Sequence, residues 1–537
     1  MSAIPRPQAE NPRAEASAWA PLRAGIFRAL WLASLVSLTG SWFVTVGAQW
    51  LLVDQPHASI LVGLVQTATT IPFVFLGLPA GVLADTLDRR RLLVAAQAAM
   101  AAIGALLAVL TFSDQMPPAL LLMLIFLLGS GAVLTIPAYQ SLVPDLVARP
   151  QIPAAAALNS ISINVARALG PAIAGVLIAQ AGVGATFTVA AATSACFAIV
   201  VALWRSPPSG RANPEPFVAA LRAGGRYVRH APVVRRIMLR TALFLIPASS
   251  LFALLPLVAS QRLGLGSSGY GLLLAALGIG AIAGALVLPR IRARLSSNGM
   301  IAAASVVYVV ALAAIALLRD VVPALVLLVP AGVAWVVVLS SVNASLQLFL
   351  PGWVRGRGLA VYQTILFGSQ AVGGLLFGAL AEGIGLVETL LIAAGTAAVG
   401  ASTIRIWPFV DVRGMDRSSV VYWPEPQLAA DVDPAGRPVV VTVTYRVAPG
   451  DEARFLDGMA RVRDSRLRTG AIKWGLYGKG EDSRSFVELF AVPSWEEHQR
   501  QHHERLTGTD REFQQSVMAL SEQPPQVSHL ISVEVPE

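Results

Sequence analysis

Short stripes of polar side chains interrupt the apolar stretches of this chain. Ser160, Asn164 and Arg167 fall at i, i+4 and i+7, which places them on one helix face. Gln363, Phe367 and Gln370 repeat that spacing. Trp42, Thr45 and Gln49 form another stripe, as do Gln66 with Thr70, and Ser340 with Asn343 and Gln347. Polar groups in apolar surroundings are costly unless they face a cavity or another helix. The chemistry on offer is recognition: hydrogen bonds and an aromatic wall around a central cavity. The substrate-binding candidates are therefore Trp42, Gln49, Gln66, Asn164, Arg167, Asn343, Gln347, Gln363 and Gln370. Hydrogen bonding between helices is the competing account of the Gln and Asn residues.

Arg167 is the one clear charge deep in an apolar run. It suits an anionic group such as a catecholate or carboxylate. A structural pin, bonded to backbone carbonyls or to Asp145, is the alternative. Asp54 ends the first run and is the candidate for a proton step, since partial burial would raise its pKa. A solvated acid at a helix end is the competing account, and it fits Glu382 and Glu388 as well. His498, His502 and His503 are close in sequence, but no further ligand completes a tetrahedral set, so no metal is expected. The single cysteine, Cys196, excludes disulfides within the chain. Its expected role is apolar packing. No nucleophile–base or phosphate-loop pattern is present, and no cofactor is expected.

The elements that position these groups are long apolar helices. The chain has 537 residues, 55% hydrophobic and 13% charged. A soluble chain is closer to a quarter charged. Twelve apolar runs fill residues 27–407, each near the roughly 20 residues that span a bilayer. Arginines cluster in alternate gaps: Arg89 to Arg91, Arg149, the stretch 205–240, Arg290 to Arg294, Arg355 with Arg357, and Arg405. The opposite gaps hold only Arg262 and Arg319. Such asymmetry places the basic side and both termini in the cytoplasm. The net charge of +9 thus reads as topology and contact with anionic lipid, and no nucleic-acid partner is expected. Residues 1–26 do not read as a cleaved signal.

The expected organisation is a cytoplasmic segment (1–26), a six-helix bundle (27–204), a cytoplasmic linker (205–236), a second six-helix bundle (237–407), a second linker (408–437) and a soluble domain (438–537). The bundles repeat one another. Ala168-Leu169-Gly170-Pro171-Ala172-Ile173-Ala174-Gly175 corresponds to Ala371-Val372-Gly373-Gly374-Leu375-Leu376-Phe377-Gly378. Two repeats with a site between them is a transporter plan. In the soluble part, strand-like alternation and helical spacing give βαββ, two helices and β, a small α+β ferredoxin-like domain. Phe217 to Arg229 in the first linker has the spacing of an amphipathic helix.

Gly81-Val82-Leu83-Ala84-Asp85-Thr86-Leu87-Asp88-Arg89-Arg90-Arg91 resembles the gate signature of the major facilitator superfamily. Thr86 and Asp88 depart from that signature. Gly81 would allow close helix approach, Asp85 would pair with a cation or a helix N-terminus, and Arg89 and Arg90 would hold the loop. Arg167 to Gly175 resembles the antiporter signature, in which Gly170 and Pro171 supply tight packing and a pivot. Leu142 to Val147, Asn164 to Pro171 and Pro351 to Arg357 resemble the enterobactin-exporter-like, transmembrane secretion effector branch. The C-terminal part resembles the small antibiotic-biosynthesis monooxygenase domain. The resemblance implies an all-α, twelve-helix transporter in a bacterial plasma membrane. It implies export of a siderophore or other small hydrophobic molecule, coupled to protons. The soluble domain is expected to dimerise or regulate without enzymatic activity. A membrane-tethered enzyme or sensor acting through that domain is the alternative.

Overall fold

The computed structural model describes residues 19–204, 225–409, 415–416, 418 and 437–532. Among these residues, eleven helices are long and apolar enough to cross a membrane. They are α1 (Gly25–Leu51), α2 (Ala58–Thr86), α3 (Arg89–Phe112), α4 (Pro118–Leu146), α5 (Ile152–Leu203), α6 (Pro232–Leu257), α7 (Ser267–Arg294), α8 (Ser297–Leu317), α9 (Val321–Phe349), α10 (Gly352–Ile384) and α11 (Leu386–Ser402). Apolar residues stand exposed around them: Val109, Leu286, Val322 and Val399 are each more than 60% exposed. A belt of that kind belongs in lipid.

The 52-residue α5 would be about 78 Å long if straight, far more than a bilayer of roughly 30 Å. It is not straight. Gly182 has φ 79° and ψ 171°, a backbone conformation that favours glycine and ends the helical ladder. Residues on both sides of Gly182 meet the same level of α1. A Cβ at Gly170 would lie 2.8 Å from Cβ of Trp42, and one at Gly40 would lie 3.2 Å from Cβ of Thr193. Gly170 and Thr193 are 12 and 11 residues from Gly182, so the arms 152–181 and 183–203 fold back as a hairpin.

The first half comprises α1–α5 and the second α6–α11. They meet along two seams, which run from mid-span to the end remote from the start of α1, here the far end. On the α2–α10 seam a Cβ at Gly63 would lie 2.9 Å from Cα of Gly378. On the α5–α7 seam a Cβ at Gly175 would lie 3.0 Å from Cα of Gly271. Small residues let these backbones touch. Toward the near end, among the described residues, no atom lies within 4 Å of a Cβ at Gly77 or Gly81, and Phe75 is exposed. Among the described residues the halves thus touch at the far end, while α2 stands away from α10 at the near end.

The C-terminal domain has β1 (Val439–Arg446), α12 (Glu452–Thr469), β2 (Lys473–Lys479), β3 (Asp482–Val492), α13 (Trp495–Arg500), α14 (Gly508–Met518) and β4 (Gln526–Ile531). The strand order is β2-β3-β1-β4, with antiparallel pairs throughout. Val439, Val441, Val443 and Tyr445 alternate inward and pack on Phe455, Met459 and Val462 of α12. This is the α+β arrangement expected from the alternation. The helix expected from Trp495 to Leu506 is α13 continued by a wider π-turn over Gln501–Arg505. Of the amphipathic stretch expected over 217–229, residues 225–229 are helical and the rest lies outside the described residues.

Candidate functional site

Three sequence candidates meet at mid-span. Trp42 of α1, with Arg167 and Pro171 of α5, lines one wall of a small recess between the halves. Phe252 of α6, Leu277 of α7 and Trp335 of α9 line the opposite wall. Gly170 lets this close approach occur, because its missing Cβ is the space that Trp42 fills. Phe252 and Trp335 pack edge to face, with centroids 4.7 Å apart. Among the described residues no carboxylate or carbonyl pairs with the Arg167 guanidinium. The structural-pin account therefore has no partner for it here; the Asp145 side chain lies outside the described residues.

Gln49, Gln66 and Gln370 lie on the seams. Gln49 is 1% exposed. Its Nε2 donates to the Phe252 carbonyl at 3.3 Å, and its Oε1 accepts from the Tyr270 hydroxyl at 2.5 Å. Gln66 Nε2 donates to Gln370 Oε1 at 3.4 Å, and Thr67 Oγ1 donates to the Ala371 carbonyl at 2.8 Å. Phe73 and Phe367 stack there, 3.9 Å between centroids. The remaining polar candidates stay apart from the recess. Asn164 donates to the Ser160 carbonyl within its own helix at 2.9 Å. Gln347 donates to Asn343 at 2.8 Å, one turn away on α9. Gln363 is exposed on the near-end part of α10.

Two expectations need revision. Asp54 is exposed at the far end rather than partly buried. Gly81 meets no neighbouring helix among the described residues, so the close approach expected there is not seen. Arg89 and Arg90 serve within the first half. Arg89 donates to the Ser141 carbonyl at 3.1 Å, and Arg90 donates to the Val201 carbonyl at 3.2 Å and to that of Ala202. They cap the last turns of α4 and α5, where a cation is favoured. Asp88, the departure from the gate signature, caps α3 by accepting from the Arg91 amide at 2.8 Å. The Asp85 side chain lies outside the described residues.

The soluble domain docks on the start of α10 and on the end of the first linker, just before α6. The Arg505 guanidinium lies 4.7 Å from the ring centre of Trp353, at the start of α10, and that of Arg468 lies 5.8 Å from the ring centre of Tyr227. Arg226 pairs with Glu497 at 3.5 Å. Inside the domain, Glu488 is fully buried and accepts from Arg466 Nε, Trp474 Nε1 and the Tyr445 hydroxyl, each at 3.0 Å. Burial, and then the Glu488 charge, hold the Tyr445 phenol well above its usual range. His498 and His529 face each other, Nε2 to Nε2, at 3.1 Å. Burial pushes His498 down to about 2 and His502 down to about 4. No group of three or more His, Cys, Asp or Glu is placed to hold a metal among the described residues.

Sequence reasoning missed Phe252, Tyr270, Trp335, Tyr227 and Trp353. An aromatic in an apolar run reads as packing. The one signal was indirect: a glutamine such as Gln49 in an apolar helix needs partners, and these lie more than 200 residues away.

Solved transporters share this architecture. A bacterial homologue of the human lysosomal transporter Spinster, in an inward-facing and unoccupied conformation, aligns with TM-score 0.55 at 16% identity, over 72% of this chain and 95% of that one. The nucleoside transporter NupG aligns with TM-score 0.53 at 17% identity, over 71% and 98%. At such identities the likeness concerns fold alone. Among curated proteins, the Staphyloferrin A transporter of Staphylococcus aureus is 28% identical over 263 residues, 48% of this chain and 65% of the relative. The multidrug efflux pump Tap of Mycolicibacterium fortuitum is 26% identical, over 67% and 90%. The enterobactin exporter EntS of Salmonella choleraesuis is 30% identical, over 48% and 62%. The matches to the staphyloferrin and enterobactin proteins thus span slightly less than two thirds of those relatives. The profile of one family matches residues 16–537. With that coverage, the chain belongs to the transmembrane secretion effector family of the major facilitator superfamily.

Proposed function

We propose that this protein is a secondary transporter that exports small, largely apolar molecules carrying a negative charge, by alternating access through the Arg167 recess. The observation that carries the reading is the guanidinium itself: an intramembrane cation without an ion-pair partner among the described residues, at the boundary of the halves and among aromatic rings. An anionic cargo group would supply the missing partner, and Trp42, Phe252 and Trp335 would cover its apolar body. The hairpin at Gly182 supports twelve crossings. The arginine asymmetry supports cytoplasmic termini in a bacterial plasma membrane. The near end is then the cytoplasmic mouth. The relatives named as an enterobactin exporter and a multidrug efflux pump support the outward direction.

Proton coupling rests on family resemblance, since Asp54 is exposed. The soluble domain acts as a docked accessory without chemistry of its own. Its outer sheet face, which no described residue covers and where Tyr477 and Leu530 are exposed, supports pairing with a second copy.

The test is flux of a panel of fluorescent aromatic anions, neutral compounds and cations in proteoliposomes under an imposed proton gradient. Anion flux is expected to collapse with the gradient. Arg167→Gln should lower it by roughly tenfold or more, the loss expected for a charged hydrogen bond. Flux that ignores the gradient would refute coupling. Unchanged anion flux in Arg167→Gln would refute the cargo site.

A further inference from the structure

We infer that Gln49, Tyr270 and the Phe252 carbonyl form the latch that closes the far end and links it to the recess. The inference rests on the transport reading above, but it is tested without cargo. Gln49 leaves α1 in the first half, while Phe252 and Tyr270 belong to α6 and α7 in the second. The carboxamide spends both of its ends across the seam: Nε2 on the Phe252 carbonyl at 3.3 Å, Oε1 on the Tyr270 hydroxyl at 2.5 Å. Gln49 is 1% exposed and Tyr270 fully buried, so the bonds are made out of water. Trp50, the next residue of α1, stacks on the Tyr270 ring with centroids 6.0 Å apart.

Phe252 has two roles in this arrangement. Its carbonyl receives the latch bond, and its ring forms the recess wall beside Trp335. A cargo that displaces the ring pulls on the carbonyl that Gln49 holds. Occupancy of the recess is thereby conveyed to the closed end through one residue. Opening the far end must break both Gln49 bonds, and water entering the opened seam would replace them. A hydrophobic side chain at position 49 removes the bonds and leaves the Tyr270 hydroxyl unsatisfied only in the closed state. That substitution therefore shifts the balance toward far-end opening. Gln49 is in this account a positioning residue for the transport cycle rather than a cargo ligand.

The experiment is a distance measurement between spin labels at Gln55→Cys and Glu388→Cys, in a Cys196→Ser background, with the full chain in lipid nanodiscs. Both label sites are exposed at the far end, one on each half. The parent should give a dominant short distance. Gln49→Leu should raise the ratio of long to short distances by roughly tenfold. The isosteric Tyr270→Phe should raise it less, and the double variant should add little to Gln49→Leu. A merely structural role would lower the melting temperature without widening the distances. Distributions unchanged in Gln49→Leu, or in Tyr270→Phe should the first variant fail to fold, overturn the latch. Flux in proteoliposomes separates the two readings: widened distances with no cargo moved by the parent would refute transport and leave the latch standing.

Discussion

Arg240 shows how a charge is kept inside an apolar element. It sits in α6, 6% exposed, and donates to the Gly400 carbonyl at 3.0 Å, to Thr403 Oγ1 at 2.9 Å and to the Trp407 carbonyl at 3.2 Å. It bonds the Gly400 carbonyl in the last turn of α11, where a helix favours a cation, and the Trp407 carbonyl beyond that end. Arg240→Met should cost about 2–3 kcal/mol, within the range for charged hydrogen bonds, and should lower the melting temperature in detergent. Arg240→Lys should recover part of that loss. Glu488 is the corresponding group in the soluble domain. Glu488→Gln leaves Arg466 buried without its counter-charge, at a cost of about 3–5 kcal/mol, visible as altered Trp474 fluorescence. The sequence marked Arg167 because a charge in an apolar run stands out. It did not mark Glu488, because a carboxylate in a charged domain looks solvated until the sheet register brings Arg466, Trp474 and Tyr445 around it.

At the scale of elements, the seams depend on glycine. A Cβ at Gly271 would lie 2.6 Å from the Pro171 carbonyl, and one at Gly374 would lie 2.9 Å from the Gly63 carbonyl. Gly374→Val should therefore part α2 from α10, opening the far end in the same spin-label distances that report the latch. Intact short distances in that variant would contradict the packing argument. The small-residue repeats around Gly170 and Gly374 were legible in the sequence as packing motifs, and the seams use both. Their partners Gly271 and Gly63 were not legible, since a glycine in an apolar run has no pattern until a second backbone is placed beside it. The soluble domain makes a separate prediction about acid. His498 and His502 are held neutral when folded, at about 2 and about 4, against about 6.5 when unfolded. The unfolded chain therefore binds more protons as pH falls below about 6.5. Stability should fall by up to about 1.4 kcal/mol per pH unit for each histidine, until the folded pKa is reached. Hydrogen-exchange protection of residues 437–532 in the full chain, relative to the intrinsic rate at each pH, should fall between pH 6.5 and 4. His502→Gln should flatten the dependence.

For the whole molecule, the long apolar runs made the membrane helices readable because bilayer thickness acts on every span alike. Alternation of apolar and polar residues likewise made the α+β order readable. Two things were not. The docking of the soluble domain depends on Trp353 and Tyr227 meeting Arg505 and Arg468, residues far apart in the chain. The conformational state, in which the described halves touch at the far end while α2 stands away from α10 at the near end, is a balance between surfaces that no local pattern encodes. Removing residues 430–537 should leave transport in place, because the described docking contacts reach only Trp353 of α10 and Arg226 and Tyr227 of the first linker; loss of transport would favour the domain as the acting part.

The central claim is that the far-end seam must open for cargo to leave. Cysteines at Gln66 and Gln370, whose side chains meet across that seam, can be cross-linked in the Cys196→Ser background and released by reductant. Flux of an aromatic anion in proteoliposomes should stop on cross-linking and return on reduction. Undiminished flux with the seam locked would contradict alternating access between the two halves.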